Sequence, residues 1–111
     1  MSFIKLGGLA TAQGNLPEAQ RLFGESLRIT ERLAESDPVN AEWQCNLAVS
    51  FHKLGVIHMK REQWAAALPL LERTLSICER LAALSPTQVV LQEDIRENRE
   101  LVNQVRARMA E

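Results

Sequence analysis

Apolar residues recur at three- and four-residue spacing along most of the chain, the period of a helix with one buried side. Leu16, Ala19, Leu22, Phe23, Leu27, Thr30 and Ala34 form one such stripe, and Trp64, Ala67, Leu71, Leu75, Cys78 and Ala82 form another. The stretch between them carries two stripes, Trp43, Leu47, Leu54 and Ile57 on one side and Cys45, Val49, His52, Val56 and Met59 on the other. A helix that is apolar on two sides has neighbours on two sides, as a central helix in a stack requires. The pattern and its punctuation predict five helices, roughly 2–13, 16–35, 38–61, 64–84 and 87–109. Asp37-Pro38 and Ser85-Pro86 read as a capping side chain before a first-turn proline, with Gln88 completing a capping box. Asn15-Leu16-Pro17-Glu18 reads as an asparagine-capped start. Pro69 falls inside the fourth helix and predicts a kink near Ala65. The connections are short, so successive helices run antiparallel.

The chain also repeats itself. Shifted by 48 residues, Lys5-Leu6-Gly7 falls on Lys53-Leu54-Gly55, Glu31-Arg32-Leu33-Ala34 on Glu79-Arg80-Leu81-Ala82, and Pro38 on Pro86. Ala19, Leu22, Leu27 and Ile29 likewise meet Ala67, Leu70, Leu75 and Ile77. Two copies of one unit and part of a third are present. The expected organisation is one domain over 1–111, with unit 1 at about 1–37, unit 2 at about 38–85 and a C-terminal helix at about 86–109. The fold class is all-α, an antiparallel helix-pair solenoid of two pairs plus a C-terminal capping helix.

The motif resembles the tetratricopeptide repeat. Leu6-Gly7, Ala19, Phe23 and Ser26 match that family's Leu-Gly, Ala, aromatic and small-residue spacing, as do Leu54-Gly55, Ala67, Leu71 and Thr74 in the second copy. A closing proline seven residues late makes the chain similar to a longer-helix branch with a unit of about 48 residues. The resemblance implies that the first helix of each pair lines a concave surface. That places Ile4, Gly8 and Thr11, then Val49, His52, Val56 and Met59 flanked by Lys53 and Lys60, then Glu97, Glu100 and Gln104, along a groove. It implies a non-enzymatic interaction or scaffold module that takes a protein or peptide partner. Members that clamp a C-terminal carboxylate use asparagine where Gly8 and Val56 stand, so that mode is not expected here. Left in water, Val49, Val56 and Met59 each forgo about 1.5–3 kcal/mol of burial, so a neighbouring helix or a partner should cover them.

Composition narrows this further. Thirteen basic against fourteen acidic residues give a net charge of −1, which lacks the basic face that nucleic acid or an anionic membrane needs. No run of eighteen apolar residues exists to span a bilayer, and Lys5 and two glycines interrupt the stretch before Ala10-Thr11-Ala12, so a cytoplasmic protein is expected. Two cysteines fit a reducing compartment. Cys45 and His52 share a helix face, but His58 lies about 220° around from Cys45, and zinc needs at least three protein ligands. No metal, no cofactor and no catalytic residue is expected. Glu93, Asp94, Glu97 and Glu100, interleaved with Arg96 and Arg99, read as a solvated helix face. Leu91, Ile95, Asn98, Val102, Val105 and Met109 form a heptad seam with one polar member, which packs as a cap on the fourth helix or pairs with a second copy. The alternatives to a peptide-binding groove are therefore a homo-oligomerisation segment, or a regulatory repeat fragment of a larger signalling protein.

Overall fold

The computed structural model describes residues 3–84 and 89–111, the latter with side chains from 92 onward. Five helices follow one another: α1 (Phe3–Ala12), α2 (Leu16–Ser36), α3 (Ala41–Lys60), α4 (Trp64–Leu84) and α5 (Val89–Met109). No strand occurs among the described residues. Each helix packs on the next, α1 on α2 through to α4 on α5, and α3 therefore has a neighbour on both sides. The architecture is an all-α stack of two antiparallel helix pairs closed by α5.

The 48-residue period is a geometric period as well. Gln13 N–H bonds Leu9 C=O, Gly14 N–H bonds Thr11 C=O and Asn15 N–H bonds Ala10 C=O; one period on, Arg61, Glu62 and Gln63 donate to Ile57, Met59 and His58. In each set the first is an ordinary helical bond and the other two are the five-to-two and six-to-one bonds that close a helix through a left-handed residue. That residue is Gly14 (φ 76°) in the first turn and Glu62 (φ 57°) in the second. Glycine adopts this region freely, whereas a side chain there costs about 1–2 kcal/mol. Glu62→Gly is therefore expected to stabilise the chain by about 1 kcal/mol, seen as a rise of a few degrees in thermal midpoint. A fall would mean that the glutamate side chain contributes more than its backbone costs.

The pair contact has the same repeat. A methyl group on Gly7 would stand 2.6 Å from Phe23 Cε1, and one on Gly55 would stand 2.9 Å from Leu71 Cδ2. Absence of a side chain at Gly7 and Gly55 is what lets α1 approach α2, and α3 approach α4, with Phe23 and Leu71 filling the gap. Ala19 and Ala67, both fully buried, hold equivalent places one period apart.

One expectation about boundaries is revised. α3 starts at Ala41, not after Asp37-Pro38, because Asn40 is the cap: its side chain accepts from Trp43 N–H at 3.2 Å. Asp37 instead ends α2, and Asn40 ties back to it through its own N–H (3.1 Å) and its side-chain amide (3.2 Å). The Ser85–Gln88 capping box lies outside the described residues. α4 runs through Pro69 as one helix. The bond missing there would end on the carbonyl of Ala65, and both residues are on the exposed side, where water replaces it at least cost. Asn15 caps α2 as the sequence predicts, accepting from Glu18 N–H at 3.3 Å.

Candidate partner-binding groove

Polar residues on the inner faces of the helices follow the repeat and then depart from it. Between α2 and α3, Ser26, Thr30 and Ser50 form a buried hydroxyl cluster. Thr30 uses its one proton on the Ser26 carbonyl (2.7 Å), so Ser50 donates to Thr30 (3.2 Å) and Ser26 to Ser50 (3.3 Å). One period later the same slots hold Thr74, Cys78 and Asn98. Thr74 turns to backbone carbonyls, of Leu70 at 3.0 Å and Ala48 at 3.4 Å. Asn98 donates to the Asp94 carbonyl (2.8 Å), and its own carbonyl oxygen accepts from His52 Nδ1 at 3.0 Å. His52 therefore carries a proton on Nδ1 and links α3 to α5 across the gap between them.

Beside that link is an open groove of about 210 Å³. Ala48, Val49, Thr74, Cys78 and Leu81 form its apolar side, Lys53 stands at one edge, and Asp94 and Glu97 stand at another. Asp94 is half-buried and Glu97 exposed, and neither carboxylate has an ion-pair partner among the described residues. Of the residues anticipated along the first-helix faces, Val49, His52, Lys53 and Glu97 meet here. Val56, Met59, Lys60 and Glu100 do not line this groove. Met59 packs instead on the second apolar cluster, with Ala67, Leu71, Val102 and Val105. Cys45, Thr74, Cys78, Leu81 and Asp94 were not singled out as groove residues; Cys45 shares the α3 stripe of Val49 and His52, whereas Thr74, Cys78 and Leu81 come in because α4 closes the floor, which no pattern within one helix reveals.

The seam on α5 is occupied from within the chain. Ile95, Asn98, Val102 and Val105 are buried against the neighbouring helices, whereas Met109 is half exposed and the side chain of Leu91 is outside the described residues. Pairing two copies along this seam would require uncovering its four inner members. The charged side of α5 also reaches outward to α4: Arg99 pairs with Glu79 at 3.0 Å and Arg106 with Glu72 at 2.9 Å. Both pairs are exposed and contribute about 1 kcal/mol or less.

The two cysteines face different environments. Cys45 is exposed, and Cys78 is buried. Burial, helped by the negative charge of Asp94, pushes the Cys78 thiol from an ordinary 9.0 up to about 11. At pH 8 a thiol reagent is expected to modify Cys45 promptly and Cys78 only after unfolding, which mass spectrometry of the alkylated protein would read. Equal rates at the two sites would refute the burial of Cys78. The linkage has a definite sign. Because the folded thiol holds its proton longer, stability from this group is complete below the unfolded pKa and declines as pH rises towards 11. Although Cys45, His52, Cys78 and Asp94 border one groove, no three His, Cys, Asp or Glu side chains among the described residues are placed to hold a metal ion.

Two antiparallel helix pairs with one repeated Gly–large-residue contact and a capping helix define a helical-repeat protein. The family described as Tetratricopeptide repeat matches residues 1–39 and 47–82, and the chain belongs to it. Repeats of this family serve protein–protein interaction and scaffolding and are not enzymes. No curated protein and no solved structure matches the chain. None of the described helices is long and apolar enough to cross a membrane.

Proposed function

We propose that the chain binds a peptide or helical segment of a protein partner in the groove between α3 and α5. The observation that supports this most is an exposed apolar residue, Val49, beside an open cavity whose rim carries unpaired charges of both signs. A partner side chain over Ala48, Val49 and Leu81 would remove apolar surface from water at about 25 cal/mol per Å². A basic group beside it would meet Asp94 and Glu97, and an acidic group would meet Lys53. The His52–Asn98 link holds the two walls in register, so little ordering is left for the partner to induce.

Selection from a displayed random-peptide library tests the reading. Enriched peptides should carry an apolar residue next to a basic one, and should lose binding to Val49→Asp and to Glu97→Lys. Val39→Asp, at an exposed residue away from the groove, should bind them unchanged. Peptides that bind all three variants equally would place the binding surface elsewhere.

A further inference from the structure

The groove between α3 and α5 departs from the repeat at the positions that make it acidic. Shifted by 48 residues, Lys53, Thr74 and Leu81 fall on Lys5, Ser26 and Leu33, so a basic edge, a hydroxyl and an apolar floor recur. His52, Asp94 and Glu97 fall instead on Ile4, Asn46 and Val49. Stacking one helix pair on the next therefore needs neither carboxylate, because the preceding unit stacks without them. The strong donors of the groove are also committed elsewhere. Asn98 gives an amide proton to the Asp94 carbonyl (2.8 Å), His52 gives its Nδ1 proton to Asn98 (3.0 Å), and Thr74 gives its proton to the Leu70 carbonyl (3.0 Å). Acceptors remain: two carboxylates without an ion-pair partner among the described residues, and His52 Nε2, which carries no hydrogen in the neutral ring. Lys53 is the exception, exposed on the α3 side. The negative charge is felt on the floor as well, where Asp94 helps to hold the proton on Cys78.

We infer that the groove is built to anchor a single arginine side chain of the partner, with its methylene stem on Ala48, Val49 and Leu81 and its guanidinium spanning Asp94 and Glu97. This rests on the peptide-binding reading of the groove and narrows it to one residue type. A volume of about 210 Å³ lies below the roughly 300–1,000 Å³ of sites that take whole small molecules, and suits one long side chain. Arginine joins an apolar stem to a charged head, as this floor and rim require. Its planar fork of five donors can serve two carboxylates at once, whereas the lysine ammonium is a compact and strongly hydrated charge. An acidic anchor would meet two like charges, and a purely apolar one would leave the acceptors unanswered. A divalent cation fits less well, because no three His, Cys, Asp or Glu side chains among the described residues are placed to hold one.

Titration of the whole chain with N-acetyl-arginine methylamide, followed through its amide NMR spectrum, tests this against the lysine, citrulline and leucine analogues. The arginine compound should shift the amides around Val49, His52 and Glu97. It should bind more tightly than the lysine compound, and about tenfold more tightly than citrulline, which keeps the shape and loses the charge. Asp94→Asn and Glu97→Gln should each weaken it about threefold with the rest of the spectrum unchanged, since neither side chain has a bonded partner to lose among the described residues. Lys53→Gln should tighten it instead, by removing a repelling charge, a sign that a merely structural role would not produce. Citrulline or leucine binding in the groove as tightly as arginine would overturn the arginine anchor and leave the groove reading standing. Arginine shifts confined to other surfaces, or absent, would overturn the anchor too, and the groove reading would then stand or fall with the selected peptides and Val49→Asp. Equal affinity for the parent and an Asp94→Asn/Glu97→Gln chain would likewise overturn it.

Discussion

Phe23→Ala is expected to lower the free energy of unfolding by about 3–5 kcal/mol, because it empties the space between α1 and α2 at a site with almost no solvent exposure. Gly7→Ala should cost about 1–3 kcal/mol, since the new methyl would stand 2.6 Å from the Phe23 ring and helix propensity returns no more than about 1 kcal/mol. Together the two should cost less than their sum, because the methyl enters the room the ring has left. Gly55→Ala and Leu71→Ala should reproduce that coupling one period on. The control is adjacent. Nothing lies within 4 Å of a methyl on Gly8, so Gly8→Ala should stabilise by about 0.5–1 kcal/mol. Chemical denaturation of these five single variants and the two double variants measures all of this. Additive effects at Gly7 and Phe23 would deny the close approach from which the helix-pair geometry is argued.

Val105→Asp is expected to detach α5 while the two helix pairs stay folded. Val105 has no exposed surface and sits with Ala67, Leu71 and Val102 in a cluster joining α4 to α5. A carboxylate there has no cation within the cluster, so burial costs several kcal/mol and the helix yields instead. In a stack whose elements touch mainly their neighbours, losing the last one removes only the final interface. Hydrogen exchange should show α5 amides losing protection, with α2 and α3 amides retained. Loss of protection everywhere at once would mean that α5 is integral to a single cooperative unit. The same variant should weaken peptide capture, because Asp94, Glu97 and Asn98 leave the groove with α5.

Much of the candidate site was half-legible in the residues. Val49, His52, Lys53 and Glu97 could be placed on inward helix faces because helical period and family pattern both point there. Met59 could not be told from a groove residue, because its burial depends on Val102 and Val105, more than forty residues later. Asn98 shows the same difficulty from the other direction. Within α5 it is one polar position in an apolar seam, and it reads as a register residue for a coiled coil. Set one period behind, it stands where Ser50 stands, in a slot that is polar in both units, and its partner His52 lies on another helix.

The repeat, the five helices, the Gly7–Phe23 and Gly55–Leu71 contacts and the asparagine cap of α2 were written in the chain itself. Each rests on residues within one helix or at one fixed offset, where a local rule suffices. The groove floor supplied by Thr74, Cys78 and Leu81, and the closing of the α5 seam onto α4, needed the tertiary arrangement. So did the unequal cover of Ile29 and Ile77, identical side chains at identical positions in the repeat. Burial is a property of what lies alongside, and two copies of one motif share a sequence without sharing neighbours.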